Sequence, residues 1–282
     1  MQKKQIKAGL IGHPVSKSLS GEVFAVFAAL TGEDLRYSLI DCSPADLPLI
    51  IPTFRPQGWA GFNVTLPHKR AVCALLNLAD PAARACGAVN TVRFGRAGLE
   101  GTNTDAHALV EALGEAGFAA AGKTAAVFGA GGAAASSGWA LGRSRAAAVA
   151  FHARDSKAAA ALAARLGEAF PGTAFSAAPF EKPARGAEIF VNATPLGMYQ
   201  PGRPPCEPEP GQLCADLAYA PGGTEFANES RRAGAAVIDG LSLLVWQAAL
   251  SLRFWCGLPT GDIVKFKQEA LSLLEKKLKG GS

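Results

Sequence analysis

Residues 124–142 restrict the possible folds of this chain more than any other stretch. A short apolar run, Thr124 to Phe128, passes directly into Gly129-Ala130-Gly131-Gly132-Ala133 and then into small residues as far as Gly142. An apolar strand that turns on glycine and opens a helix is the first βα turn of a dinucleotide-binding sheet. Gly129 permits the tight turn, Gly131 lets the backbone approach a pyrophosphate, and the helix that starts at Gly132 and Ala133 offers unpaired N–H groups to it. The stretch carries no charge, but its glycines and small residues suit a closely packed helix better than a lipid-facing span. Close helix packing alone would not explain why the glycines gather at the turn.

About twenty residues further on, a second strand ends at Phe151-His152 and is followed by Ala153, Arg154 and Asp155. An acid at that tip would accept the ribose hydroxyls of NAD, whereas an arginine just after it pairs with a 2′-phosphate. The tip has no acid and Arg154 follows it, so NADP is the expected cofactor and NAD the alternative. Asp155 stays open between repelling that phosphate and accepting from an unphosphorylated ribose, and Arg154 between phosphate contact and plain surface charge.

The rest of the chain repeats the strand and helix alternation. Strands are expected at Lys7 to Ile11, Tyr37 to Ile40, Trp59 to Leu66 and Ala88 to Phe94, with helices at Ser20 to Leu30, from Ser43-Pro44 onward, and at Lys69 to Leu78. A helix from Ala106 to Gly117 leads to the glycine-turn strand. Further strands follow at Ala147 to His152, Glu188 to Asn192, Cys214 to Leu217 and Ala235 to Ile238, with a helix from Ser156 to Leu166. Such alternation implies an α/β fold with parallel strands and helices on both faces. The expected domains are 1–104 for substrate and catalysis, 105–240 as a Rossmann-type NADP-binding domain, and 241–282 as helices that pack back on the first domain. In that last part Ile263, Phe266, Leu273, Leu274 and Leu278 form one apolar face, and the lysines a solvated one.

Hydrophobic residues make up 49% and charged residues 18%, enough apolar surface for packed cores. The net charge of +5 is dispersed, which argues against nucleic acid or a membrane as partner and fits a small anionic substrate. Six cysteines lie far apart with no zinc-ligand spacing, as expected of free thiols in a reducing compartment. The apolar run before His13-Pro14 is too short for a signal-peptide core, so a cytoplasmic protein without metal is expected, as monomer or homodimer.

Polar clusters fall where strands should end: Ser18-Leu19-Ser20, Asn63-Val64-Thr65-Leu66-Pro67-His68-Lys69, Asn90-Thr91 and Asn103-Thr104-Asp105. Ligands of open α/β sheets collect there. Hydroxyls suit a carboxylate, amides suit ring hydroxyls, and a lysine with an aspartate suits an oxygen that gains or loses a proton as hydride moves. Asp105 would favour the charged ammonium of Lys69 and a dry cleft the neutral amine, a contest that sequence leaves open. Taken singly, Asn90 or Asp105 would read as a turn or a helix cap.

Taken together, these segments resemble the shikimate dehydrogenase family over nearly the whole chain. Further matching segments are Gly9 to Gly12, Gly87 to Thr91, Gly129 to Gly132, Asn192-Ala193-Thr194-Pro195-Leu196-Gly197-Met198, Asp216-Leu217-Ala218-Tyr219, and Gly240-Leu241 through Gln247-Ala248. The resemblance implies NADP-linked interconversion of 3-dehydroshikimate and shikimate, a step of aromatic biosynthesis. It implies Lys69 and Asp105 as the catalytic pair and Ser18, Ser20 and Tyr219 as carboxylate contacts. Asn63, Thr65, Asn90 and Gln247 would hold ring hydroxyls. Gly129, Ala130, Gly131, Gly132, Ala133, Arg154, Thr194, Gly197, Met198, Gly240 and Leu243 would hold the cofactor. This sequence departs from the family's pattern at Lys17 and Phe24, which replace histidines, and at Gly21, which replaces a proline. Ala108 replaces a glycine, Leu243 a methionine, and Ala153 and Asp155 alter the phosphate motif. A quinate/shikimate or related dehydrogenase with relaxed or NAD preference, and a non-catalytic dinucleotide-binding sensor, stand as alternatives.

Overall fold

Short apolar strands punctuated by glycine and proline build two separate sheets in the computed structural model. It describes residues 5–16, 18–257 and 260–280, with the side chains of 260–263, 265 and 277–280 left aside. The expectations for Lys17, Ile263 and Leu278 therefore lie outside the described residues. The chain divides into two compact units, Met1–Thr104 with Leu244–Ser282, and Asp105–Leu243.

The first unit contains β1 (Ile6–Gly12), α1 (Ser20–Thr31), β2 (Leu35–Asp41), α2 (Leu47–Phe54), β3 (Gly61–Val64), α3 (Lys69–Cys73), β4 (Leu78–Ala79), α4 (Pro81–Cys86), β5 (Thr91–Gly95) and β6 (Gly98–Thr102). Its sheet runs β2-β1-β3-β5-β6-β4. The order is mixed rather than wholly parallel: β1 is parallel to β2 and β3, but β5 is antiparallel to both β3 and β6. A hairpin between β5 and β6 needs only a tight turn, and no helix separates those strands. Phe54, Trp59, Phe62 and Val64 fill the core, each worth about 1.5–3 kcal/mol relative to exposure.

The second unit contains β7 (Thr124–Phe128), α6 (Gly132–Arg143), β8 (Ala148–Ala153), α7 (Ser156–Ala169), β9 (Ala174–Pro179), β10 (Ile189–Asn192), β11 (Leu213–Asp216), α8 (Glu225–Arg232) and β12 (Ala236–Ile238). All its strand pairings are parallel, in the order β12-β11-β10-β7-β8-β9. This is the doubly wound Rossmann order, and the chain reverses direction across the sheet between β7 and β10. Glycines let α6 lie close to its neighbours: a Cβ at Gly138 would come 2.5 Å from Phe151 Cζ and 2.6 Å from Leu166 Cδ1. Among the described residues no helix is long and apolar enough to cross a membrane.

Helix α5 (Thr104–Glu115) starts at the division between the units, α9 (Gly240–Cys256) spans the second crossing of the chain, and α10 (Thr260–Gly280) packs on α1. Trp255 of α9 donates from Nε1 to the Val92 carbonyl at 2.9 Å. Gly61 leaves room for it, since a Cβ there would lie 2.4 Å from that nitrogen.

Several expected boundaries moved. Ser43 does not cap α2; its hydroxyl donates to Asp46 at 2.6 Å, Asp46 takes the N-cap position, and proline sits in the first turn from Leu47. The helix from Lys69 stops at Cys73, because Asn77 pairs with Leu99 through its backbone N–H and its side chain, which pulls the chain into β4. On α10, Leu273 is 44% exposed while Ala270 and Leu274 are buried. Lys267 is no solvated lysine either: it is buried, with Nζ 5.3 Å from the Trp246 ring centroid.

Candidate functional site

In the first unit, side chains from strand ends that are distant in sequence share one hydrogen-bond network. Ser18 and Ser20 precede and open α1, and their hydroxyls are 3.0 Å apart. Ser20 also bonds the hydroxyl of half-buried Tyr37, whose ionisation is pushed well above its ordinary range, chiefly by burial. Tyr37 in turn donates to Asn63 Oδ1 at 2.8 Å. Its ring stacks on Phe24 with centroids 4.0 Å apart, so Phe24 is an aromatic wall for this phenol.

Asn63, buried in β3, donates from Nδ2 to the Asn90 carbonyl at 3.1 Å, and to Thr91 Oγ1 and Ser251 Oγ at 2.9 Å each. Asn90 is buried before β5. Its Nδ2 donates to Thr104 Oγ1 at 2.9 Å and its Oδ1 accepts from Thr104 N at 2.6 Å. Ser251 donates to the Gln247 carbonyl at 2.8 Å, one helical turn back on α9, and the Gln247 side chain donates to Leu244 O at 3.0 Å. A buried network whose donors meet acceptors is stiff, and it fixes the directions of its members.

The turn from β3 to α3 places Thr65 and Lys69. Thr65 N bonds the Ile11 carbonyl at 2.9 Å, and Gly12 makes room, since a Cβ there would sit 2.3 Å from Thr65 Cγ2. His68 is buried and its Nε2 donates to the Cys42 carbonyl at 2.6 Å, which anchors the residue before Lys69. Lys69 is half-buried at the start of α3, and its carbonyl accepts from Val89 N at 3.1 Å. Asp105, half-buried in the first turn of α5, and half-buried Tyr219 belong to the second unit.

In the second unit Gly129 has φ +120°, a conformation that side chains rarely adopt, and a Cβ on it would lie 2.9 Å from the Ala193 carbonyl oxygen. The turn therefore lies against the tip of β10, where ligands of doubly wound sheets bind. Gly131 is different: a Cβ there meets nothing within 4 Å, and it stands at the N-cap of α6 with no side-chain cap. Ala130, Gly132 and Ala133, all half-buried, flank Gly131 where α6 begins, the kind of helix N-terminus that holds phosphate groups. Arg154 is exposed just past β8. Asp155 caps α7 by accepting from Ala158 N at 2.9 Å, a role distinct from both that its sequence position suggests.

The loop after β10 is shaped by Asn192. Its Oδ1 accepts from Thr194 N at 3.1 Å and from Thr194 Oγ1 at 2.6 Å, and its Nδ2 donates to Leu196 O at 3.1 Å. This places half-buried Thr194, Gly197 (φ +85°) and Met198 beside the tip of β10. Gly240 opens α9 against β11: a Cβ on it would lie 2.1 Å from Ala218 O. Leu243, buried one turn on, bonds from its N to Asp239 O at 3.2 Å. Among the described residues no His, Cys, Asp and Glu group is arranged to hold a metal.

Sequence reasoning missed Tyr37 and Ser251, and quoted Asp216 only within a matching segment, without a role. Ser251 lies one turn beyond Gln247 on the same helical face, a spacing that could have singled it out. Tyr37 sits within β2 and carries no such local signal.

Residues 10–92 match the family described as shikimate dehydrogenase substrate binding domain. The chain is 42% identical over 255 residues to a shikimate dehydrogenase (NADP(+)) of Anaeromyxobacter sp. strain Fw109-5, covering 88% of this chain and 90% of the relative. Among solved structures it is similar to shikimate 5-dehydrogenase from Thermus thermophilus in complex with NADP(H) and shikimate. That likeness has a TM-score of 0.80 and 34% identity, covering 94% of this chain and 100% of the other. It is also similar to the 5-ketofructose reductase of a Gluconobacter species, with a TM-score of 0.85 and 28% identity, covering 96% and 99%.

Proposed function

Because the chain belongs to the shikimate dehydrogenase family, we propose that it interconverts 3-dehydroshikimate and shikimate with NADP(H), as a step of aromatic biosynthesis. One observation carries this reading: the near full-length likeness, at 42% identity, to a relative named for that reaction and that cofactor. The open space beside Gly131 at the start of α6 and the exposed Arg154 suit a pyrophosphate and a 2′-phosphate. The cofactor, when bound, supplies or accepts the hydride.

The chain's own residues hold the substrate and move the proton. Ser18, Ser20 and Tyr219 offer hydroxyls to the ring carboxylate. Asn63, Thr65, Asn90 and Gln247 hold the ring hydroxyls, and the bonds of Asn63 to Tyr37, Thr91 and Ser251 stiffen the wall on which they stand. In reduction, Lys69 gives a proton to the carbonyl oxygen as negative charge develops there; in oxidation it takes that proton back. Asp105 accepts from a substrate hydroxyl. Gly240, Leu243, Thr194, Gly197 and Met198 line the cofactor. The protein acts in the cytoplasm as a monomer or homodimer.

The test is a steady-state matrix of shikimate and quinate against NADP and NAD. The expected result is the highest kcat/KM with shikimate and NADP. Higher values with quinate or NAD would replace this assignment by the related dehydrogenase, and no turnover in any combination by the dinucleotide-binding sensor.

A further inference from the structure

Asp216 ends β11 with no exposed surface. A carboxylate in such a place is costly unless hydrogen bonds meet it. Its Oδ1 accepts from Asn192 Nδ2 at 2.8 Å and from Ala218 N at 3.0 Å, and its other oxygen accepts from the Thr224 hydroxyl. Burial outweighs these bonds and pushes the carboxyl up to about 6. A carboxylate met by three donors can fix the segments that carry them, which an apolar side chain could not.

The donors identify the task, because each belongs to a segment with a part in the proposed site. Asn192 shapes the turn that carries Thr194, Gly197 and Met198. Ala218 is the residue before Tyr219, and its carbonyl is the surface on which Gly240 and the start of α9 rest. Thr224 caps α8 by accepting from Ala227 N at 3.1 Å, and it abuts Gly197, where an added Cβ would lie 3.0 Å from Thr224 Cβ. The charged or titratable neighbours are Cys214 on the same strand, with its thiol pushed up to about 11 chiefly by burial, and Asp239, which is paired with Arg231 at 2.8 Å.

We propose that Asp216 is a positioning residue that ties the Thr194–Met198 loop to the Tyr219 segment, so that dinucleotide contacts and the substrate-carboxylate contact are set together. This rests on the proposed function. The test compares the full chain with Asp216→Ala, Asp216→Asn and Thr173→Val, measuring Tm, both KM values, and Kd for NADPH and for shikimate. Thr173 is buried at the other end of the sheet, where its hydroxyl donates to Ala146 O at 2.7 Å, so its loss controls for destabilisation alone.

Asp216→Ala is expected to raise KM for NADP and for shikimate by about tenfold each, the scale of a small misplacement of binding groups. Asp216→Asn, which keeps an acceptor for Asn192 and Ala218, is expected to stay within about threefold of the parent. Thr173→Val should lower Tm and leave both KM values unchanged. If Asp216→Ala does not fold, Thr224→Val removes the opposite donor and should move both KM values in the same direction. The proposal is overturned if both KM values stay at the parent's, or if only one of them moves. A parent chain that turns over no shikimate with NADP would instead sink the functional assignment, and the two Kd values would still decide the role of Asp216.

Discussion

A lysine serves as proton donor only where its neighbours hold it still, and Lys69 is held by its backbone: the anchored His68 precedes it and its own carbonyl bonds Val89 N. Lys69→Ala is expected to lower kcat by about 10²–10⁴-fold, the range for loss of a general acid, with little change in cofactor affinity. Unchanged turnover would remove Lys69 from the mechanism. Arg154 is exposed beside a carboxylate already committed to capping α7. Arg154→Ala should therefore raise KM for NADP about tenfold while leaving KM for NAD nearly constant, as the loss of one charge-assisted contact to the 2′-phosphate would; equal effects on both cofactors would refute the pairing. Lys69, Asp105, Asn63 and Asn90 could be singled out as candidates in the sequence because polar residues at the ends of apolar runs are conspicuous. Tyr37 could not, since it meets Asn63 only through the order of the strands, and Ser251 offered no more than its spacing from Gln247.

The glycine turn separates two kinds of glycine by what a methyl group would meet. Gly129→Ala forces a side chain into a left-handed backbone and against Ala193 O, so it should lower Tm and weaken NADP binding together. Gly131→Ala meets no protein atom, so it should keep Tm and weaken only NADP binding by occupying the space of the pyrophosphate; thermal melts with and without NADP distinguish the two. Strands β1, β7 and β8, and helices α1 and α7, were readable from apolar runs and their boundaries. Elements with weaker patterns were overlooked: α4 despite its Asp80 cap and opening proline, α8 despite its Thr224 cap, and the strands β6 and β9. Edge strand β9 shows exposed positions at most of its residues and lacks a continuous apolar run. Helix α3 was overestimated because helical propensity continued where the tertiary pairing of Asn77 with Leu99 prevailed.

Stability of the whole molecule carries the mark of Asp216 in its dependence on pH. Its carboxyl is raised in the folded chain, from 3.8 to about 6, so the neutral form is the one that folding favours. That contribution is fully present below about pH 4 and is lost as pH rises through about 6, a change on the order of 3 kcal/mol. Asp216→Asn cannot ionise, so its stability relative to the parent should increase between pH 4 and pH 8, as read by urea unfolding; a constant difference would contradict the raised carboxyl. The sequence alone determined the α/β class, the glycine turn and the polar clusters at strand ends, because each is written in adjacent residues and short periodicities. The tertiary structure alone decided that β5 and β6 run antiparallel, that Lys267 is buried, and that Asn63 meets Ser251 across 188 positions of chain. Strand order decides the first, and the packing of helices, not local pattern, brings Lys267 to Trp246 and Ser251 to Asn63.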